Sequence, residues 1–257
     1  MNLQFFRKNI LAYSILLISL WTMANEGEHA SGWDVEKQAS YGTDSRVDDH
    51  HALVHPFLAH MGMPDAAGEL SVRVLSVEER NNGMASGTYG FHIETGIVDR
   101  LGLHLRNDGV KTHTKTEMML QYAVLRSDDK LSGISLVAEI EVPTGATSNN
   151  RIENMFGVSF AYLWIPTLAV NSTVHYNSDD KKIEWEISFA GRLTEKIYPI
   201  LEFSGETDQE MSSRSALFAW KFKIPNNNSL GLGYHIPITT EREFESQLIL
   251  QAEFNFH

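Results

Sequence analysis

The stretch at residues 247–256 reads as one alternating strand. Leu248, Leu250, Ala252, Phe254 and Phe256 fall on one side of an extended chain, and Gln247, Gln251, Glu253 and Asn255 on the other. Successive side chains of a strand point to opposite faces, so this strand has one apolar and one wet face. About ten residues divided in this way suit a strand that crosses a bilayer in a closed barrel, and they equally suit one strand of a soluble sandwich. The remainder of the chain has to separate the two.

Period-two alternation recurs from residue 68 onward, over 69–79, 87–95, 100–106, 116–126, 132–142, 152–164, 167–176, 182–192, 196–205, 213–224 and 229–237. With 247–256 this predicts twelve strands, an even number that brings both ends of the strand series to one rim. Nearly every strand sets bulky apolar residues opposite Glu, Gln, His, Ser or Gly. In 152–164, for example, Phe156, Val158, Phe160, Tyr162 and Trp164 oppose Gly157, Ser159 and Ala161. Tyr89, Tyr122, Trp164, Tyr176, Trp185, Phe203, Tyr234 and Phe256 recur near strand ends on the apolar face, as interfacial girdles do. Connections alternate between short ones (96–99, 127–131, 165–166, 193–195, 225–228) and more polar ones expected to be longer (80–86, 107–115, 143–151, 177–181, 206–212, 238–244). The expected fold is all-β: a transmembrane antiparallel β-barrel of about twelve strands over 68–257, with a flexible N-terminal segment. A mean hydropathy of −0.23 argues against a helical membrane protein but not against a barrel with a polar lumen. A net charge of −12 disfavours nucleic acid and favours cations. The chain has no Cys, which removes disulfides and a lipoprotein anchor.

Residues 1–24 have the parts of a secretory signal: Arg7 and Lys8, a short apolar run over 10–21, and Thr22-Met23-Ala24 at the cleavage edge. The run is short for a membrane span of about 20 residues. Residues 25–67 lack periodicity and read as a flexible segment. Within it, His50, His51, His55, His60, Met61 and Met63 gather imidazole and thioether groups, donors that suit Cu or Zn. Their spacing matches no fixed metal motif, and Pro56 and Pro64 prevent a regular helix from presenting them. The alternative is an apolar plug or turn that seats the first strand.

Three short motifs carry a family resemblance over about residues 68–257. They are Gly96-Ile97-Val98-Asp99-Arg100-Leu101-Gly102-Leu103, Val142-Pro143-Thr144-Gly145, and Gly231-Leu232-Gly233-Tyr234-His235-Ile236-Pro237. The region resembles outer-membrane barrels associated with phenol meta-pathway degradation and hydrophobic-compound transport. The last strand also resembles the closing strand of bacterial outer-membrane barrels, which ends in Phe, except that His257 follows Phe256. The resemblance implies a barrel and a transport role, and it brings no catalytic residues. It also implies partners: outer-membrane lipid, and barrel-assembly machinery acting through the C-terminal strand.

The polar faces place His92, Glu94, His104, Glu117, Glu139, Glu141, His175, Glu184, Glu186, Glu202 and His235 toward a lumen, with Arg73, Arg106, Lys221 and Lys223 as counter-charge. One reading is a self-satisfied polar network filling a narrow barrel. A second is a cation-favouring path, since charged rings set pore selectivity. A third is a lumen for a hydrophobic solute. A lipid-modifying hydrolase would need a dyad such as His175 with Asn171, or His92 with Glu94. Spacing of i, i+2 arises automatically from alternation, and no Ser sits in a strained nucleophile turn. The expected protein is therefore a non-enzymatic channel or transporter for a small molecule or ion in the outer membrane of a Gram-negative bacterium. It needs no cofactor beyond Cu or Zn at the His/Met stretch, and it has no nucleic-acid partner.

Overall fold

The computed structural model describes residues 55–107, 115–128, 131–144, 151–207, 212–239 and 244–256. The signal at 1–24, the segment at 25–54 with His50 and His51, and His257 lie outside them. Twelve strands form: β1 (Leu70–Asn81), β2 (Met84–Val98), β3 (Leu101–Asn107), β4 (Lys115–Arg126), β5 (Gly133–Pro143), β6 (Glu153–Ile165), β7 (Leu168–Asn177), β8 (Lys182–Gly191), β9 (Ile197–Thr207), β10 (Ser212–Lys223), β11 (Ser229–Pro237) and β12 (Ser246–Phe256). Each pairs antiparallel with its sequence neighbours, and β1 pairs with β12, so the sheet closes into a barrel with no free edge. The closing register sets Leu70 opposite Phe256 and Arg73 opposite Glu253. Among the described residues there is no helix.

The two faces sort as alternation requires. On β6, Phe156, Val158, Phe160, Tyr162 and Trp164 are exposed on the outside, while Ser159 and Ala161 are buried within. The outer apolar positions on β11 and β12 (Leu230, Leu232, Tyr234, Leu248, Leu250, Phe254 and Phe256) are likewise exposed. An apolar exterior over a buried polar interior is the arrangement that a lipid-embedded barrel requires. Register shifts fall at Gly96/Val98, Ala123/Leu125 and Leu163/Ile165, all at the rim that carries the ends of β1 and β12, where bulges end pairing.

One connection differs from expectation. The polar run at 80–86 is not a long loop, because β1 and β2 pair as far as Asn81 and Met84. Asn82 and Gly83, with φ of 51° and 73°, make a two-residue turn. Positive φ at both central positions is the demand of a type I′ hairpin turn, and Asn-Gly meets it. A second difference lies inside. Leu75, Val77, Tyr198, Ile200, Leu217 and Ile249 face inward, so part of the barrel interior is apolar.

Candidate functional site in the barrel lumen

Residues 55–67 lie inside the barrel. They run inward from the rim of the chain ends, turn near His60, and return to Ala67, which bridges to Gly96 beside the start of β1. His55 and Asp65, 3.3 Å apart, close the base of this loop. Pro56 and Pro64 keep the segment irregular, so its backbone groups need partners outside regular structure. The wall supplies them. The Glu202 carboxylate accepts the backbone N–H groups of Phe57, Leu58 and Ala59 at 2.5, 2.8 and 3.1 Å. Asn171 accepts the N–H of Gly62 at 3.2 Å. Lys221 donates to the His55 carbonyl at 2.8 Å, Arg73 to that of Pro56 at 3.1 Å, and Gln251 to that of Phe57 at 3.2 Å. Gln121 donates to the Met61 carbonyl at 2.8 Å and Ser135 to that of Gly62 at 3.2 Å.

Phe57, fully buried, occupies the apolar part of the lumen with Leu75, Tyr198, Ile200, Leu217 and Ile249. Its ring lies on Gly231 and Gly233 of β11. A Cβ on these glycines would stand 2.4 and 2.9 Å from ring carbons, so the Gly-x-Gly spacing is the seat of the ring. Pro64 packs on Gly102 of β3, and Met63 packs with Ala123 of β4 and Ala161 of β6. The loop thus reaches every strand of the barrel.

Charged groups form two clusters. At the loop base, His55 lies 3.3 Å from Asp65, 3.2 Å from Glu253 and 3.5 Å from Glu94. Arg73 pairs with Glu94, and Lys221 with Glu253 at 2.9 Å. All six are buried. Burial works against charge on the His55 imidazole, but the surrounding carboxylates of Asp65, Glu253 and Glu94 hold its pKa well above the usual 6.5.

The second cluster sits beyond the loop tip. His60, Arg106, Glu117, Glu139, Glu141, His175, Glu184, Glu186 and Glu206 line a cavity of about 280 Å³. His60 Nδ1 lies 2.8 Å from Glu186, which also accepts the backbone N–H of His60 at 2.7 Å. The other ring nitrogen, Nε2, lies 3.9 Å from both Glu117 and Glu139. His175 Nδ1 lies 3.3 Å from the same Glu139 oxygen. Arg106 is 3.6 Å from Glu117 and 3.8 Å from Glu186. Toward the rim, Lys115 pairs with Glu141 at 2.5 Å and Glu153 at 3.0 Å, and Lys182 with Glu206 at 3.1 Å.

The residues singled out from sequence therefore divide. Glu117, Glu139, Glu141, His175, Glu184 and Glu186 gather around the cavity. Glu94 joins the loop-base cluster, with His104 Nδ1 3.5 Å away. His92 is buried next to these, opposite Arg73 and Arg106 in the sheet register. Glu202 holds the loop. His235 stands apart, 2.9 Å from Gln247 and ring-to-ring with Phe244. The His/Met stretch does not converge over its described residues. His55 lies in the base cluster and His60 at the cavity. Met61 and Met63 are buried, Met63 sulfur accepting from Ser135 at 3.5 Å. Asn171 is engaged with Gly62, and His175 with Glu139.

No family model matches the sequence, and no curated protein does. Solved structures do match. The chain is similar to the KdgM porin, with a TM-score of 0.59 and 9% identity, covering 73% of this chain and 99% of that one. It is similar to the NanC porin, with a TM-score of 0.54 and 10% identity over 73% of this chain and 99% of that one. It is also similar to an outer membrane channel from Pseudomonas putida F1, with a TM-score of 0.54 and 11% identity over 76% and 97%. The fold is that of these porin barrels.

Sequence reasoning missed the wall groups that hold the loop. Gln121, Ser135, Asn171 and Gln251 are inner-face polar residues like many others, and their partners lie 60 or more positions away. The available signal was Gly231-Leu232-Gly233, two inner-face glycines on one strand that leave room for a ring.

Proposed function

We propose that this chain is an outer-membrane channel of a Gram-negative bacterium for small cations, narrowed by its own inward loop. The observation that carries the reading is the cavity beyond the loop tip. Six carboxylates line it with Arg106, while Lys115 and Lys182 pair with two of them toward the rim, and a lumen with this excess of negative charge concentrates cations and excludes anions. The exposed apolar exterior supports a place in lipid, and the porin-like architecture supports a channel role. The resemblance to hydrophobic-compound transporters points to another solute class. It has less support, because the apolar part of the lumen is filled by Phe57. The test is the reversal potential of the refolded chain in a planar bilayer under a KCl gradient. A potential on the cation side, reduced in Glu184→Gln and Glu206→Gln, supports the reading. An anion-selective potential, or one unchanged in both variants, rejects it.

A further inference from the structure

We propose that the loop tip and the wall together form a binding site for one divalent transition-metal ion, with His60 Nε2, Glu117 and Glu139 as ligands. The ligand atoms of these three residues lie within 4.8 Å of one another. They come from three separate places: the loop, β4 and β5. In a tetrahedral site with bonds of about 2.0–2.2 Å, ligand atoms stand about 3.4 Å apart. The three groups reach that spacing by small side-chain movements. Imidazole with carboxylates is a donor set suited to Zn²⁺ and its first-row neighbours.

Two further observations point to an ion. First, His60 is already oriented. Glu186 lies at its Nδ1, which fixes the Nδ1–H tautomer and turns the Nε2 lone pair toward Glu117 and Glu139. A carboxylate behind a ligating imidazole is the usual outer partner of a metal-bound His. A lone pair facing two carboxylates is repulsive unless a cation lies between them. Second, a buried polar atom at the cavity lacks a hydrogen bond. Glu139 is 1% exposed and its Oε2, the oxygen 3.3 Å from His175 Nδ1, accepts no hydrogen bond of good geometry. Unsatisfied buried groups of this kind are costly and call for an ion or water. His175 stands against Glu139 and edge-on to His60, with ring centroids 5.3 Å apart, next to the trio. Its ring has room because residue 157 is glycine. A Cβ there would stand 2.3 Å from His175 Cδ2. Arg106, near Glu117 and Glu186, offsets part of the negative charge and disfavours a second ion.

The site shares only His60 with the His/Met stretch and uses no thioether, so it favours Zn²⁺ over Cu⁺. It does not require the barrel to conduct. The competing occupant is a proton on His60 Nε2. The experiment is calorimetric titration of Zn²⁺ into the full mature chain, refolded in detergent without a polyhistidine tag. Heat-dependent gel migration would verify the fold of each variant. One Zn²⁺ should bind per chain at micromolar or tighter affinity at pH 7.5. The affinity should fall about 100-fold in His60→Ala and in the near-isosteric Glu139→Gln and Glu117→Gln. The double variant His50→Ala/His51→Ala should retain it. No binding at 100 micromolar Zn²⁺ (roughly 5–6 kcal/mol) would leave the proton as the occupant and overturn the proposal. So would binding that survives all three ligand variants, or that disappears with His50 and His51.

Discussion

The Nδ1 atom of His60 lies 2.8 Å from a carboxylate oxygen of Glu186, a residue 126 positions later in the chain. This contact joins the tip of the inward loop to β8. With the three N–H groups on Glu202, it holds an irregular segment in the lumen through carboxylate acceptors. Removing one of these acceptors should therefore loosen the loop before it disturbs the barrel.

Glu202→Gln tests this. Three backbone donors share this carboxylate, and an ordinary hydrogen bond contributes about 0.5–1.5 kcal/mol. The amide keeps one acceptor oxygen but turns donors toward Ser188 Oγ, now 3.1 Å from the carboxylate. Limited proteolysis in detergent should cut the variant within residues 55–67 at least tenfold faster than the parent chain, while heat-dependent migration persists. Equal cleavage rates would mean that Glu202 does not hold the loop.

Phe57→Ala removes the ring from its glycine seat. Phe-to-Ala changes in packed interiors cost about 3–5 kcal/mol. Here the loss falls on the loop, because β11 and its neighbours keep their ladder bonds. Single-channel recordings should show larger and longer openings than in the parent chain. A variant that fails to form a barrel would show instead that the ring belongs to the folding core.

His55 gives a pH dependence. Its pKa is raised in the folded state, so its stabilisation is complete below about 6.5, the free value, and is lost as pH rises through the folded value. Asp65, Glu94 and Glu253 face it, with Arg73 and Lys221 beyond them. Protease access to the loop should increase as pH is taken from 6 toward 10. His55→Gln should flatten that profile at its alkaline level. A profile unchanged by the substitution would assign the dependence to another group.

Much of the barrel was legible in the sequence. Phe160 reads outward and Ser159 inward, as found. The consequence for lipid is direct: Phe160→Arg should cost about 2–4 kcal/mol near the bilayer midplane. Refolding yield into lipid vesicles measures it, and a yield equal to the parent's would contradict the outward placement. The inner serines are another matter. A wet lumen would tolerate Arg at Ser188, but Ser188 is fully buried beneath the loop and bonded to Glu202. Arg there should expel the loop. The sequence hid this because alternation specifies a face and not what covers it. Ile249 sits between Gln247 and Gln251 on the inner face, where it joins the apolar cluster that includes Phe57, Leu75 and Leu217. Likewise, Asn82-Gly83 inside a polar run looked like loop, although that dipeptide is itself a turn signal.

The central claim is that residues 55–67 occupy the lumen and limit passage through it. Steady-state conductance of the refolded parent chain in a planar bilayer, compared with Phe57→Ala and Glu202→Gln in the same salt, tests it most directly. The structure predicts brief, small, cation-selective openings for the parent and a clear increase in conductance for both variants. A large, continuously open and weakly selective pore from the parent chain, unchanged in the variants, would contradict it.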